Sequence, residues 1–222
     1  MNYDELICEL KTLTDEKYRS FSARIVNTTL PVYGVRTPVL RAFAKRVKRD
    51  FPDFTQAFFG REEYSFEEVL LCGWQLGKSA SANVELLTRL IPRFASWAHT
   101  DQIIKRFDWV TNADDFLREF AYLKKGGEYE IRAYVMFLFN FFPKLPAERI
   151  TAELASIPLG AYYVDMAVAW TVCEIITKDY EFGKTLLATL PLTPFVKRKS
   201  VSKCHDSYRL TPDQKSELKK LI

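Results

Sequence analysis

The residues whose types and spacing best suit catalysis are one short run and two further residues far along the chain. Ser96-Trp97-Ala98-His99-Thr100-Asp101 places a tryptophan four residues before an aspartate, and Arg132 and Trp170 follow at element-sized intervals. One helical pattern ends before this run and another begins near Asp101, so we expect Asp101 in the first turn of a helix over about 101–108. An aspartate, an arginine and two indoles at these intervals predict one shared groove, in which a carboxylate could stabilise positive charge.

Each of these residues also has a structural explanation. An aspartate in a first helical turn is usually a cap, and tryptophans are usually core residues. Arg132 could pair with Glu128 or Glu130 on its own helix. His99 is interpreted as a polar residue of the joint between helices rather than as a base. The residues alone therefore leave both explanations open.

Two basic clusters are candidate surfaces for nucleic acid. The first lies on a predicted helix from Pro38 to about Arg49, where Arg41 and four further cations lie outside the apolar positions. The second follows Thr193-Pro194, near a helix N-terminus whose N–H groups favour phosphate. Its members are Lys197, Arg198, Lys199 and Lys203. A solvated helix face is the alternative for both clusters.

Composition limits the class of protein. The chain is 48% apolar, enough for a core, and its eight glycines disfavour a β fold with many turns. Its net charge of +4 is mildly basic and excludes no class. The four cysteines form no CxxC pair and indicate reduced thiols in a cytoplasmic protein. We find no signal sequence and no apolar run long enough to span a membrane.

Apolar positions recur with the period of a helix along the whole chain, without strand-like alternation. Trp74 is assigned to the apolar side of a helix that ends near Gly77. About a dozen helices, one pair per ~35–40 residues, match the spacing of HEAT-type solenoids. We therefore predict an all-α fold, a HEAT-like α–α superhelix (solenoid) in a single domain over residues 1–222. A compact helical bundle is the alternative. Helix starts are predicted from caps at Thr37-Pro38, Ser65, Thr193-Pro194 and Thr211-Pro212.

Five motifs, in order along nearly the whole chain, resemble the DNA alkylation repair family. They are Tyr33-Gly34-Val35-Arg36-Thr37-Pro38-Val39-Leu40-Arg41, Trp97-Ala98-His99-Thr100-Asp101, Ile131-Arg132-Ala133, Met166-Ala167-Val168-Ala169-Trp170, and Lys197-Arg198-Lys199 followed by Ser207-Tyr208. The resemblance implies a superhelix of HEAT-like repeats whose concave basic face holds duplex DNA. It also implies a monofunctional DNA glycosylase that excises cationic N3- and N7-alkylated purines.

The resemblance also implies roles for individual residues. Asp101 matches the catalytic aspartate, and Arg132 matches the arginine beside it. Trp97 and Trp170 match the two indoles that line the lesion cleft. On this basis we predict duplex DNA with alkylated bases as the partner of a monomeric chain, and DNA contacts by Arg41 and the second basic cluster.

Two positions depart from the family pattern. Active members usually carry an arginine that clamps the DNA backbone where this chain has Cys173, interpreted here as a packed thiol. A cleft tyrosine is expected where Ile25 follows Ala23-Arg24. Placing arginine at position 173 is expected to keep or raise activity. Because the family includes members without glycosylase activity, a DNA-binding relative and a protein-interaction scaffold are the alternatives.

The implied chemistry suits these residue types. A purine alkylated at N3 or N7 is already a cationic leaving group, so the reaction needs no general acid, and we expect no metal or cofactor. The sugar left behind resembles an oxocarbenium ion, which the Asp101 carboxylate could stabilise. Indole faces attract a cationic base. Arg132 could bind a phosphate or keep Asp101 ionised.

Overall fold

The structure is a computed structural model that describes residues 2–105 and 107–222. All regular secondary structure in those ranges is helical, which confirms the predicted all-α fold. The chain divides into two compact units, Met1–Lys105 and Arg106–Ile222. The solenoid arrangement and the single domain stay predictions.

The described part of the first unit contains seven α-helices, and a 3₁₀ turn at Ile91–Arg93 follows the sixth. The helices are α1 (Tyr3–Thr12), α2 (Glu16–Val26), α3 (Thr37–Asp50), α4 (Phe54–Phe59), α5 (Phe66–Gly73), α6 (Ala80–Leu90) and α7 (Trp97–Ile103).

Two helix ends in the first unit differ from the sequence prediction. Thr37 is the first helical residue of α3 rather than its cap, and the preceding Arg36 makes no side-chain capping bond. The α5 helix ends at Gly73 rather than near Gly77. Its start is as predicted, because the Ser65 hydroxyl accepts the Glu68 N–H at 3.2 Å and Glu68 accepts the Ser65 N–H at 2.8 Å.

A buried glutamate shapes the loop before α3. The Glu67 carboxylate accepts the N–H groups of Tyr33, Gly34 and Val35 at 3.0, 2.7 and 3.3 Å. Burial raises the pKa of Glu67, and these hydrogen bonds oppose that rise. Gly34 has a φ of +82°, and a Cβ there would overlap Arg19. One α5 side chain thus satisfies three backbone donors that no helix or sheet serves.

The described part of the second unit contains seven further α-helices and two 3₁₀ turns, at Ala121–Lys125 and Phe142–Lys144. The helices are α8 (Ala113–Glu119), α9 (Glu128–Phe141), α10 (Ala147–Ala155), α11 (Tyr162–Lys178), α12 (Tyr180–Thr189), α13 (Pro194–Asp206) and α14 (Pro212–Lys219).

The α11 helix is the centre of the second unit. It packs against α9, α12 and α13, which is why it is apolar almost all round. Thr193 and Thr211 cap α13 and α14 as predicted, each accepting an N–H at 3.2 Å. The α12 helix approaches α11 closely at Gly183, where a Cβ would overlap the backbone of Ile176.

Candidate nucleic-acid interface

Trp97 and Asp101 lie on one short helix, α7, rather than on either side of a joint. Ser96 is the cap of this helix, and its hydroxyl accepts the Ala98 N–H at 3.1 Å. Asp101 is therefore the fifth helical residue, one turn after Trp97. The prediction of Asp101 in the first turn of a helix over 101–108 was wrong, and residue 106 of that range lies outside the described residues. A serine directly before tryptophan was the signal for the correct start.

The start of α7 is anchored to the C-terminal end of α2. The Ser96 hydroxyl donates to the carbonyl oxygen of Val26 at 2.5 Å, and the Trp97 indole N–H donates to that of Ile25 at 2.9 Å. The last carbonyl groups of a helix lack partners within it, so both contacts serve acceptors that need one. The half-buried indole is thus fixed beside the backbone of Ile25, where the resemblance implies a tyrosine.

Asp101 is half-buried and adjoins a hydroxyl group. The Thr100 hydroxyl oxygen lies 2.9 Å from Asp101 Oδ1 and 2.7 Å from the Trp97 carbonyl oxygen. Its single proton can be donated to either acceptor. The carboxylate therefore has a neutral donor beside it and lies on the helix that carries the Trp97 indole.

His99 is a core residue, not a polar residue of a joint. It is fully buried, and its ring lies 4.6 Å from that of Phe66. Nδ1 accepts the Ala95 N–H at 3.2 Å, so the proton is on Nε2, which donates to the Phe66 carbonyl oxygen at 3.1 Å. Burial lowers the pKa of His99 to about 3. The neutral ring serves packing, which agrees with the prediction that it is not a base.

Arg41 of the first basic cluster contacts an indole. Its guanidinium carbon lies 4.3 Å from the centroid of the Trp74 ring. Trp74 directly follows α5 and is half-buried rather than a core residue, and its indole N–H donates to the carbonyl oxygen of Gln102 at 3.2 Å. Sequence reasoning missed Trp74, because its partners come from α3 and α7.

Other cations of this cluster are used within the fold. Lys48 donates to the carbonyl oxygens of residues 75 and 76 at 3.0 and 2.6 Å. Arg46 pairs with Glu9, and Arg49 pairs with Asp50, each at 2.6 Å. The first cluster is therefore only in part a solvated surface.

In the second unit, Arg132 is buried where α9 meets the start of α11. It is 5% exposed, and its Nη1 donates to the carbonyl oxygen of Tyr163 at 2.6 Å. Glu128 accepts the Tyr163 N–H at 2.7 Å, so two α9 side chains hold both backbone groups of Tyr163. Glu130 accepts the Gly127 N–H at 2.8 Å and closes the start of α9. A backbone carbonyl of α11 thus orients the guanidinium.

Trp170 is half-buried between α9 and α13. Its ring centroid lies 4.7 Å from that of Phe139 and 5.8 Å from the Lys203 ammonium nitrogen. Near the start of α11, Tyr162 lies 6.0 Å from Phe195 of α13, so α11 and α13 run in the same direction. The half-buried residues on this side of the three helices form what we call the aromatic–basic face: Phe139, Tyr163, Trp170, Lys199 and Lys203.

The second basic cluster is divided by the helix that carries it. Lys199 and Lys203, one turn apart, belong to the aromatic–basic face. Arg198 is exposed on another side of α13, where it lines a cavity of about 380 Å³ together with His205 and Lys219. Lys197 is half-buried in the first turn. Only part of the cluster therefore adjoins Trp170.

Cys173 is a buried thiol, as predicted. It is 6% exposed and hydrogen-bonds with the Cys204 thiol of α13. That hydrogen bond lowers the pKa of Cys173 and raises the pKa of Cys204. The neighbouring Glu174 binds the Arg209 guanidinium through two contacts of 3.0 and 2.6 Å. The position where the resemblance implies an arginine is thus part of the α11–α13 contact.

The fold and these residues define a helical protein that carries half-buried indoles, a half-buried carboxylate and clustered cations. A family model described as DNA alkylation repair enzyme matches residues 6–155. The chain belongs to the DNA alkylation repair enzyme family, which confirms the resemblance and implies DNA as its partner. The matched range includes Arg41, Trp97, Asp101 and Arg132, whereas Trp170 and the second basic cluster follow it. No curated protein matches the chain with significant similarity.

Within residues 2–105 and 107–222, no helix has the length and apolar character needed to cross a membrane. Trp97 and Asp101 belong to the first unit, whereas Arg132 and Trp170 belong to the second. Their convergence on one groove stays a prediction.

Proposed function

We propose that this chain is a DNA glycosylase that hydrolyses the N-glycosidic bond of cationic N3- or N7-alkylated purines in duplex DNA. In this proposal it acts as a cytoplasmic monomer, and its helices form one HEAT-like superhelix. Trp97 and Asp101 from the first unit and Arg132 and Trp170 from the second would line one cleft.

The reaction needs little from the protein beyond electrostatics. The alkylated base departs as a neutral molecule because it already carries the positive charge, and the deoxyribose becomes cationic as the bond breaks. Asp101 stabilises that charge and orients the attacking water. The indole faces of Trp97 and Trp170 attract the cationic base, and Arg132 contributes to phosphate binding beside Asp101.

The aromatic–basic face is the observation that carries this proposal. In a member of a DNA alkylation repair family, it combines Trp170 with Lys203 and orients Arg132 on the neighbouring helix. An indole with the Lys203 ammonium group beside it suits a duplex that presents phosphates and one cationic base. The Trp97 and Asp101 pair on α7 supplies the remaining chemical groups.

A base-release assay with Asp101→Asn tests the catalytic role. We expect the wild type to release N7-methylguanine or N3-methyladenine from duplex DNA and to leave uracil in place. The variant should lose about 2.7–4 kcal/mol of transition-state stabilisation, the amount typical of one electrostatic group, and keep most DNA binding. Asp108→Asn, which changes an exposed carboxylate, is the control. Equal release by wild type and Asp101→Asn would show that the catalytic assignment is wrong.

DNA binding is tested by its salt dependence. If phosphate contacts dominate, log K falls linearly with log salt concentration, and each lost contact reduces the slope by about 0.9. Lys199→Ala should reduce the slope by one contact. Arg198→Ala should leave it unchanged, because Arg198 lies on the side of α13 that faces α14. Salt-independent binding would favour a protein-interaction scaffold.

A relative that binds DNA but has lost turnover is the second candidate. The observation that favours it is the buried Cys173, because its thiol contacts Cys204 and no arginine stands there to clamp the DNA backbone. This candidate predicts salt-dependent binding to alkylated duplex without base release. The wild-type release assay distinguishes the two.

A further inference from the structure

Trp74 joins two residues that the proposed function uses separately. One face of its ring contacts the Arg41 guanidinium, whose carbon lies 4.3 Å from the ring centroid. Its indole N–H donates to the carbonyl oxygen of Gln102 at 3.2 Å. Gln102 is the residue after Asp101 on α7. A single half-buried side chain therefore contacts both the phosphate-binding candidate on α3 and the helix of the catalytic candidate.

The segment that carries Trp74 is itself fixed. Lys48, two turns after Arg41 on α3, donates to the carbonyl oxygens of Gln75 and Leu76 at 3.0 and 2.6 Å. Just before Trp74, Gly73 packs so closely on Ile103 of α7 that a Cβ would overlap that side chain. Trp74 thus lies on a turn that contacts α3 on one side and α7 on the other.

We propose that Trp74 is a positioning residue. It orients Arg41 to bind a DNA phosphate and fixes the position of Arg41 relative to the helix that carries Asp101. The role deepens the proposed function and rests on it. A cation–π contact with the ring holds the guanidinium carbon 4.3 Å from the centroid, and the N–H groups of a guanidinium held in this way can donate to a phosphate. An arginine ordered before binding loses less conformational entropy when DNA arrives.

Two substitutions separate the two contacts of Trp74. Trp74→Leu removes the ring face, so the Arg41 contact should be lost, and the salt slope of duplex binding should fall by about 0.9. Arg41→Ala should have the same effect, and the double variant should show no further fall.

Trp74→Phe keeps a ring face but lacks the N–H. We expect it to restore the wild-type slope and to slow single-turnover base release about tenfold or more, since small displacements of catalytic groups are costly.

Trp109→Leu and Trp109→Phe are the matched controls. Trp109 is a half-buried indole in the second unit that packs on Phe107 at 5.1 Å and Phe116 at 5.6 Å. These variants should keep the salt slope and the release rate. Circular dichroism and the urea midpoint of each variant show that it is folded.

Three results would overturn the proposal. They are a wild-type slope in Trp74→Leu, additive losses in the double variant with Arg41→Ala, and wild-type release by Trp74→Phe. Each of these leaves the proposed function intact. A wild-type protein that binds no alkylated duplex overturns the proposed function first, and the role of Trp74 with it.

Discussion

The two candidate indoles are held in different ways. Trp97 is fixed through a hydrogen bond from its N–H to the Ile25 carbonyl oxygen, whereas Trp170 is held by ring packing against Phe139 and by the nearby Lys203 ammonium group. A hydrogen bond fixes direction, while packing of this kind allows the ring to adjust. The direction of the Trp97 ring is therefore set by a hydrogen bond, and that of the Trp170 ring by packing.

The burial of Cys173 changes one expectation from the sequence. The sequence predicts that arginine at this position keeps or raises activity, but the thiol is 6% exposed. Its pKa is lowered first by the hydrogen bond with Cys204, and the nearby charges are the Glu174 carboxylate and the cations Lys203 and Arg209. A guanidinium there would be a buried charge whose neighbouring carboxylate, Glu174, is already paired with Arg209. Cys173→Arg should therefore lower the free energy of unfolding by about 3–5 kcal/mol. Urea denaturation measures this, with exposed Cys8→Arg as the control. A stable and more active Cys173→Arg would contradict it.

His99 should make the stability of the protein depend on pH. Burial lowers its native pKa to about 3, against about 6.5 in the unfolded chain. Below pH 6.5 the unfolded state binds the proton and the native state does not. The free energy of unfolding therefore decreases as the pH is lowered. The free energy of unfolding should be about 1.4 kcal/mol lower at pH 5.5 than at pH 7.5 from this residue.

Urea denaturation at both pH values checks this prediction. His99→Gln should lose this pH dependence, although removal of the buried ring lowers stability at pH 7.5. Exposed His205→Gln should keep it. An unchanged pH dependence in His99→Gln would count against the buried neutral ring.

Helices whose ends depend on local chemistry could be predicted from the sequence. Ser65, Thr193 and Thr211 cap their helices because a hydroxyl and an N–H three residues later are enough. The start of α7 differs from the prediction because Ser96 caps the helix, which makes Asp101 its fifth residue. Partners far along the chain are beyond such patterns: the Glu67 carboxylate bonds N–H groups more than thirty positions earlier.

The same limit applies to the candidate site. Trp97, Asp101, Arg132 and Trp170 were singled out by residue type and spacing. Trp74 and Phe139 were not, because their roles come from contacts between helices. The split of the second basic cluster follows from the helical period, which turns Arg198 away from Lys199 and Lys203.

The close approach of α12 to α11 depends on the absence of a side chain at Gly183. A Cβ there would overlap the Cα and N atoms of Ile176, and backbone atoms cannot move aside as a flexible side chain can. Gly183→Ala should lower the free energy of unfolding by about 1–3 kcal/mol through overpacking. Thermal or urea unfolding measures the change. Gly77→Ala is the control, since nothing lies within 4 Å of its added carbon. Equal stability of the two variants would show that α11 and α12 separate easily.

At the scale of the whole chain, the predicted single domain is open to a direct test. A single cooperative domain loses stability as a whole when one part is weakened. Gly183→Ala, in the second unit, should then reduce amide-exchange protection equally in α5 of the first unit and in α11 of the second. Hydrogen exchange measured by mass spectrometry reports both helices in one sample. Loss of protection in α11 alone would indicate two domains that unfold independently.

The hydrogen bond between Trp97 and Ile25 determines which features of a bound base the indole could recognise. With its only polar group committed to the backbone, the ring offers a π face and no donor. Such a surface attracts a cationic base but does not recognise the pattern of donors and acceptors that distinguishes adenine from guanine. In the proposed glycosylase, this ring recognises damage by the positive charge of the base and does not distinguish one nucleobase from another.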